Sequence, residues 1–213
     1  WLKIGENLSF VNSEGRNAMN NNSSPGASIL SAALAMAPWD PAHYPAGTLN
    51  YKGEDLGGKI AAPSNFKNVS NPFGMVNYSH PMDKTERWVG DIYLEITPLK
   101  GLVYRSDISY DLSHVNHRLF KDAYYISSND YSDKNFLERS MSRYATMIWE
   151  NTLTYSKQIK DHDFSIMAGH TTEEYNYYNI GGSGSQILNP TSNNWYLSQT
   201  TQDRNEAGDG VDR

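Results

Sequence analysis

Residues 102–112 read "LVYRSDISYDL" and alternate almost without fault. Leu102, Tyr104, Ile108, Tyr110 and Leu112 share one parity, with Ser106 its single polar member. Val103, Arg105, Asp107, Ser109 and Asp111 share the other. Successive side chains of a strand point to opposite faces, so this stretch predicts one apolar, aromatic face and one charged face. A soluble sheet turns such an apolar face to a core. A membrane barrel turns it to lipid and the charged face to a wet lumen.

Four further runs carry strand signals, giving predicted strands at about 2–11, 86–97, 102–112, 142–157 and 163–175. In the first, Leu2, Ile4, Leu8 and Phe10 alternate with Lys3, Gly5, Asn7 and Ser9; in the second, Trp88, Ile92, Leu94 and Ile96 share a parity. The fourth has Met147, Trp149, Leu153 and Tyr155, interrupted by Asn151. The connections decide more than the strands. Residues 98–101 and 158–162 are of hairpin length, whereas 12–85 and 113–141 far exceed it, and a polar tract follows the fifth strand. In an up-and-down meander, alternate connections leave from opposite ends of the strands. All the long loops then lie at one end and all the tight turns at the other, as in outer-membrane barrels. The expected strands, at about 10 to 14 residues, also exceed the usual soluble length of about 5 or 6. The fold class is therefore all-β: an antiparallel meander forming an arc of a large transmembrane barrel, with a short helix in its long extracellular loops.

Composition agrees. The 213-residue chain is only 38% hydrophobic, with 15 Tyr counted in that share, and its mean hydropathy is −0.66. A net charge of −6 argues against the clustered basic footprint of a nucleic-acid binder. The absence of cysteine excludes a disulfide framework and a thiol nucleophile. No apolar run reaches the roughly 20 residues of a membrane-spanning helix. Both "WLKIGENLSF" and "DRNEAGDGVDR" read as the interior of something longer, so residues 1–213 are expected to be a fragment. Within 12–85, "ASILSAALAMA" (27–37) predicts a helix capped by Ser24 and Pro25, ended by Pro38, and packed through Ile29, Leu30, Ala33, Leu34 and Ala37.

Two segments carry a family resemblance. "KIGENLSF", an Asn-rich stretch, and a helix running into "ALAMAPWDPAHYPAGT" resemble the SusC/RagA group of TonB-dependent outer-membrane transporters of Bacteroidetes. "ENTLTYSKQIKDHDFSIMAGHTTEEY" (150–175) is similar to a later hairpin of the same barrels. The resemblance runs from Trp1 to about Gly184. It implies a non-enzymatic import channel for large nutrients such as glycans or peptides, in the Gram-negative outer membrane. It further implies a SusD-like surface lipoprotein as lid, energy from TonB through a part of the protein not in this chain, and a plug domain absent here. No cofactor is implied.

Site candidates follow from the loops. Trp39, Tyr44, Tyr51 and Trp195 offer flat apolar platforms for sugar rings, although such residues also anchor loops onto one another. His114 and His117, or His162 with Asp161 and Asp163, lack the remaining ligands of a metal site, so none is expected. "DRNEAGDG" (203–210) fails as a calcium loop at Ala207, and "GGSGS" (181–185) reads as flexible loop. Glu95, Arg105, Asp107 and Asp111 read better as lumen-lining charges than as a glycosidase's acid–base pair. The alternative reading is a soluble antiparallel β domain that binds carbohydrate through the loop aromatics.

Overall fold

The computed structural model describes residues 1–16, 28–50, 52–63, 70–127 and 130–212. The strands are β1 (Leu2–Gly15), β2 (Ser79–Leu99), β3 (Leu102–Lys121), β4 (Tyr124–Ser127), β5 (Asp130–Ser132), β6 (Phe136–Ile159), β7 (His162–Ile187) and β8 (Thr200–Asp212). Six of them form one sheet in the order β1-β2-β3-β6-β7-β8. All neighbours in it are antiparallel. β4 and β5 make a separate small hairpin inside the β3–β6 connection. The expected all-β meander is therefore the observed one.

The strands are longer than their apolar alternation. β2, β3, β6 and β7 contain 21, 20, 24 and 26 residues. The sequence signal stops where polar residues occupy both parities, as in 113–118. The ladder does not stop there, because a strand between two hydrogen-bonded neighbours needs no apolar face to continue. "GGSGS" is accordingly not a loop but the last part of β7, with Gly182, Gly184 and Ser185 buried. Likewise 203–210 lies within β8, a sixth strand that lacks any apolar alternation.

The register follows parity. Ile96 faces Tyr104, Leu94 faces Ser106, Ile92 faces Ile108, Gly90 faces Tyr110 and Trp88 faces Leu112. Continued to the turn, the same parity would put Pro98 opposite Leu102 across a three-residue loop, Leu99-Lys100-Gly101, and there the structure differs. Leu99, not Pro98, faces Leu102, and the extra residue is absorbed between Ile96 and Leu99. Proline lacks an N–H for the ladder, so a bulge beside Pro98 costs little pairing. Gly101 closes the turn at φ +87°, and a Cβ there would collide with the Ser156 carbonyl oxygen of β6. The other tight turn, Lys160-Asp161, closes on the pair Ile159–His162 with Lys160 at φ 55°. Both tight turns lie at one end of the sheet. The described parts of the connections 16–78, 122–135 and 188–199 all lie at the other.

The first long connection holds two short helices. α1 (Ile29–Ala35) starts at Ser28, whose Oγ accepts the Ser31 N–H while Ser31 Oγ accepts the Ser28 N–H. This capping box replaces the expected cap at Ser24 and Pro25, which lie outside the described residues. The expected apolar stripe is also displaced: Leu30 and Leu34 are exposed, and Ser28 and Ala32 are the buried positions. α1 lies beside α2 (Pro72–Asn77), whose buried Gly74 leaves room for the Ile126 side chain. Asn71 caps α2 through the Phe73 N–H, and its Nδ2 donates to the carbonyls of Ala42 and Ala61. One fully buried amide thus ties three loop segments together.

Among the described residues, the buried hydrophobic cluster lies at the loop end. Phe120, Leu137 and Ile187 are buried there, with Trp195 and Leu197 packed on them. The rest of the sheet is a single layer. No element covers either face below that cluster among the described residues, and large apolar side chains such as Ile92, Ile108 and Trp149 stand exposed.

Candidate functional site

The strand registers carry one parity unbroken across β1, β2, β3, β6 and β7, so the sheet has two chemically distinct faces. On the first lie Leu2, Ile4, Leu8 and Phe10, then Trp88, Ile92, Leu94 and Ile96, then Tyr104, Ile108, Tyr110 and Leu112, then Met147, Trp149, Leu153 and Tyr155. On β3 this band covers 102–112. At about 3.3 Å per residue and a tilt near ~45°, that is roughly 24 Å in height, close to the ~25 Å apolar belt of outer-membrane barrels. Its lower edge carries Tyr104 and Tyr155 and its upper edge Phe10 on Trp88, ring centroids 4.3 Å apart. Aromatic rims of this kind suit the two membrane interfaces.

The polar members of the band on β3 and β6 are hydrogen-bonded within it. Trp149 Nε1 donates to Ser106 Oγ at 2.9 Å. The Tyr104 hydroxyl donates to Asn151 Oδ1 at 2.7 Å. Each of the two breaks in the sequence pattern therefore accepts a hydrogen bond from a neighbouring aromatic of the same face. The band does not continue in pure form to the edges: Glu6 on β1 and His170, Thr172 and Glu174 on β7 occupy the same face at belt height.

The second face is polar. Asn7 Nδ2 donates to both oxygens of Asp91, at 2.9 and 3.0 Å. Arg87 makes a two-pronged contact to Asp111, with Nε to Oδ1 at 2.9 Å and Nη2 to Oδ2 at 2.5 Å. Glu95 stands opposite Arg105, as parity requires, yet the closer ion pair is between Arg105 and Asp107 at 2.7 Å. Glu95 is 3.6 Å from Lys3 instead. The Tyr93 ring explains the choice. It lies flat over Gly5, where any Cβ would collide with it, and Arg105 covers it at 4.0 Å from the ring centroid. A guanidinium held over that ring reaches along its own strand to Asp107 more readily than across to Glu95. The face is a hydrogen-bonded, hydrophilic lining with no apolar stripe to bury.

The expected loop aromatics fall in separate places. Trp39 is 71% exposed in a turn after α1. Tyr44 accepts the Ala62 N–H on its hydroxyl at 3.0 Å and lines a cavity of about 510 Å³ with Asn50, Glu54, Lys59 and Tyr125. Tyr51 lies outside the described residues. Trp195 stacks on Phe120 at 4.3 Å between centroids and on His80 at 5.5 Å. It anchors the β7–β8 connection and does not join Tyr44. His114 and His117, three apart in β3, fall on opposite faces. His117 Nδ1 contacts Asp83 Oδ1 at 2.5 Å. Sequence reading missed Asn71 as an organiser of the first loop, although Asn-Pro before a short apolar run is a helix-start signal. It also missed the His80–Asp122 contact, 2.8 Å long, for which residues 42 apart in sequence offer no signal.

The β7–β8 connection is closed by charge. Asp203 accepts from the Ser185 hydroxyl and from Lys134 Nζ. The Ser185 hydrogen bond, then Lys134, holds this carboxyl below the usual carboxylate range.

No protein-family model and no curated protein matches the chain. Solved structures do. The RagAB peptide importer in its open-open state matches with a TM-score of 0.68 at 19% identity, covering 100% of this chain and 22% of that one. The closed-closed state of the same importer gives 0.64 at 18% identity over 99% of this chain and 23% of that one. A structure of the RagAB peptide transporter gives 0.65 at 18%, with the same coverage. At these identities the likeness concerns the fold, an antiparallel β meander shared with a part of those chains. This chain spans less than a quarter of their length.

Proposed function

We propose that this chain is part of the wall of an outer-membrane import channel of the SusC type, passing large nutrients such as peptides or glycans. One observation carries the reading: a single-layer sheet with an apolar band about one membrane thick on one face, a hydrogen-bonded polar lining on the other, and every long connection at one end. A soluble domain packs a second layer onto an apolar face, and the described residues supply none. The fold likeness to the RagAB peptide importer supports the same reading and favours peptides within it. The protein does no covalent chemistry on its cargo. Its polar face lines the passage and its loops, with Trp39, Tyr44 and Tyr51 among their aromatics, form part of an outward vestibule. A plug domain, a SusD-like lipoprotein lid and coupling to TonB complete the machine.

The test is uptake by cells carrying the complete protein. Deleting its gene is expected to abolish growth on, and accumulation of, one class of large oligomer, labelled peptides first. Unchanged uptake of every peptide and glycan offered would reject the transport reading.

A further inference from the structure

Above the apolar band, the outward face of β3 and β6 becomes basic. Arg118 and Arg139 stand directly opposite each other in the register, and two rows lower His114 stands opposite Arg143. Like charges directly across a strand pair repel, so the Arg118–Arg139 pair calls for something to offset it. Among the described residues no carboxylate forms an ion pair with any of the four. Glu86 stands opposite His114 on β2 and is engaged by Lys84 at 3.2 Å, so the lower row is partly offset and the upper Arg118–Arg139 row is not. The register places Glu206 two strands away from Arg139, across Gly182.

The two upper arginines are also held in place. Arg118 lies 5.0 Å from the centre of the Trp195 ring, and its Nη2 is 3.5 Å from Met82 Sδ. Its Nε is buried and donates to nothing. Arg139 lies 5.9 Å from the Tyr196 ring and borders a recess of about 550 Å³, floored by Met141 and Ile180 and overhung by Leu197. Arg143 is fixed lower down by its Nη2 hydrogen bond to the Tyr110 hydroxyl, 3.1 Å long, at the rim of the band. Guanidinium groups pre-positioned by aromatic faces, with donor capacity left over, suit a multivalent oxyanion.

We propose that this patch binds the phosphate groups of the outer leaflet's glycolipid. The inference rests on the membrane-wall reading, because the band sets the height of the patch. Arg143 is one row above the Trp88–Leu112 rim. Arg118 is six residues above Leu112, roughly 15 Å higher on a strand tilted near ~45°. Phosphorylated sugars of a glycolipid whose acyl chains contact the band sit in that interval, with the half-apolar recess beside them. Arg139 and Arg118 grip the upper phosphate, and Arg143 and His114 the lower one.

The experiment uses the complete protein, extracted in mild detergent, and the double variant Arg118→Gln/Arg139→Gln. Retained glycolipid is measured by native mass spectrometry, and rebinding is measured with diphosphorylated lipid A, its dephosphorylated form, and inorganic phosphate. We expect the variant to retain at least fivefold less glycolipid, the dephosphorylated lipid to bind at least tenfold more weakly, and inorganic phosphate at millimolar levels not to compete. Heat-modifiable migration of the variant, unchanged from wild type, shows that its barrel is intact. Equal retention by an intact variant overturns the inference alone. Competition by inorganic phosphate replaces the lipid with a free-anion site and also overturns it. A protein that needs no detergent overturns the membrane reading and this inference together.

Discussion

Ile108 and Asp107 are adjacent in β3 and meet opposite surroundings. Ile108 is paired with Ile92 and Trp149 in the apolar band, whereas Asp107 holds Arg105 on the polar face. An arginine at the lipid midplane costs roughly 2–4 kcal/mol, while an exposed ion pair is worth about 0.2–1 kcal/mol. Ile108→Arg should therefore impair assembly of the complete protein, seen as loss of heat-modifiable migration, and Asp107→Asn should leave it intact. The two tight turns make a second contrast. Gly101→Ala would force a Cβ into the Ser156 carbonyl at φ +87° and should destabilise by about 1–3 kcal/mol in a urea titration. Lys160 already sits at positive φ in open surroundings. Lys160→Gly should be neutral or stabilising by up to ~1 kcal/mol.

Between elements, side chains rather than parity decide the finer structure. The Trp149–Ser106 hydrogen bond joins β6 to β3 inside the apolar band. Trp149→Phe should cost about 1 kcal/mol beyond its lost packing, and a double-mutant cycle with Ser106→Ala should recover that coupling. A cycle with zero coupling would mean that water already serves the hydroxyl. At the loop end, Asp203 has a depressed folded-state pKa. A group of that kind contributes stability above its unfolded pKa and loses it as pH falls through the folded value. The closure of 188–199 should thus be constant at neutral pH and open only in acid, below the ordinary carboxylate range. Hydrogen exchange of that segment reads the opening, and Ser185→Ala should move it to higher pH.

Registers were legible, because a one-residue slip would put Ile92 and Ile108 among charges. Strand ends were not: above the band, 113–118 is mostly polar on both parities and 181–186 is glycine- and serine-rich, so paired neighbours and not an apolar alternation keep them extended. β8 was invisible for the same reason. The helix at 29–35 was legible through its Pro38 boundary, but not its buried side, since Ser28 and Ala32 are buried while the more hydrophobic Leu30 and Leu34 are exposed. The cluster of Phe120, Trp195 and His80 joins residues far apart in the chain, beyond any local pattern.

For the molecule as a whole, the central claim is that one face of this sheet meets lipid and the other meets water. The chain has no cysteine, so each position of β3 from 103 to 111 can carry a single introduced spin label once every cysteine elsewhere in the complete protein has been replaced. Power-saturation measurements in the outer membrane compare its exposure to oxygen, which partitions into lipid, with exposure to a water-soluble nickel chelate. A two-residue alternation is expected: oxygen dominates at 104, 108 and 110, and the chelate dominates at 103, 105, 107, 109 and 111. Chelate access on both parities, or an oxygen profile without that alternation, would contradict it.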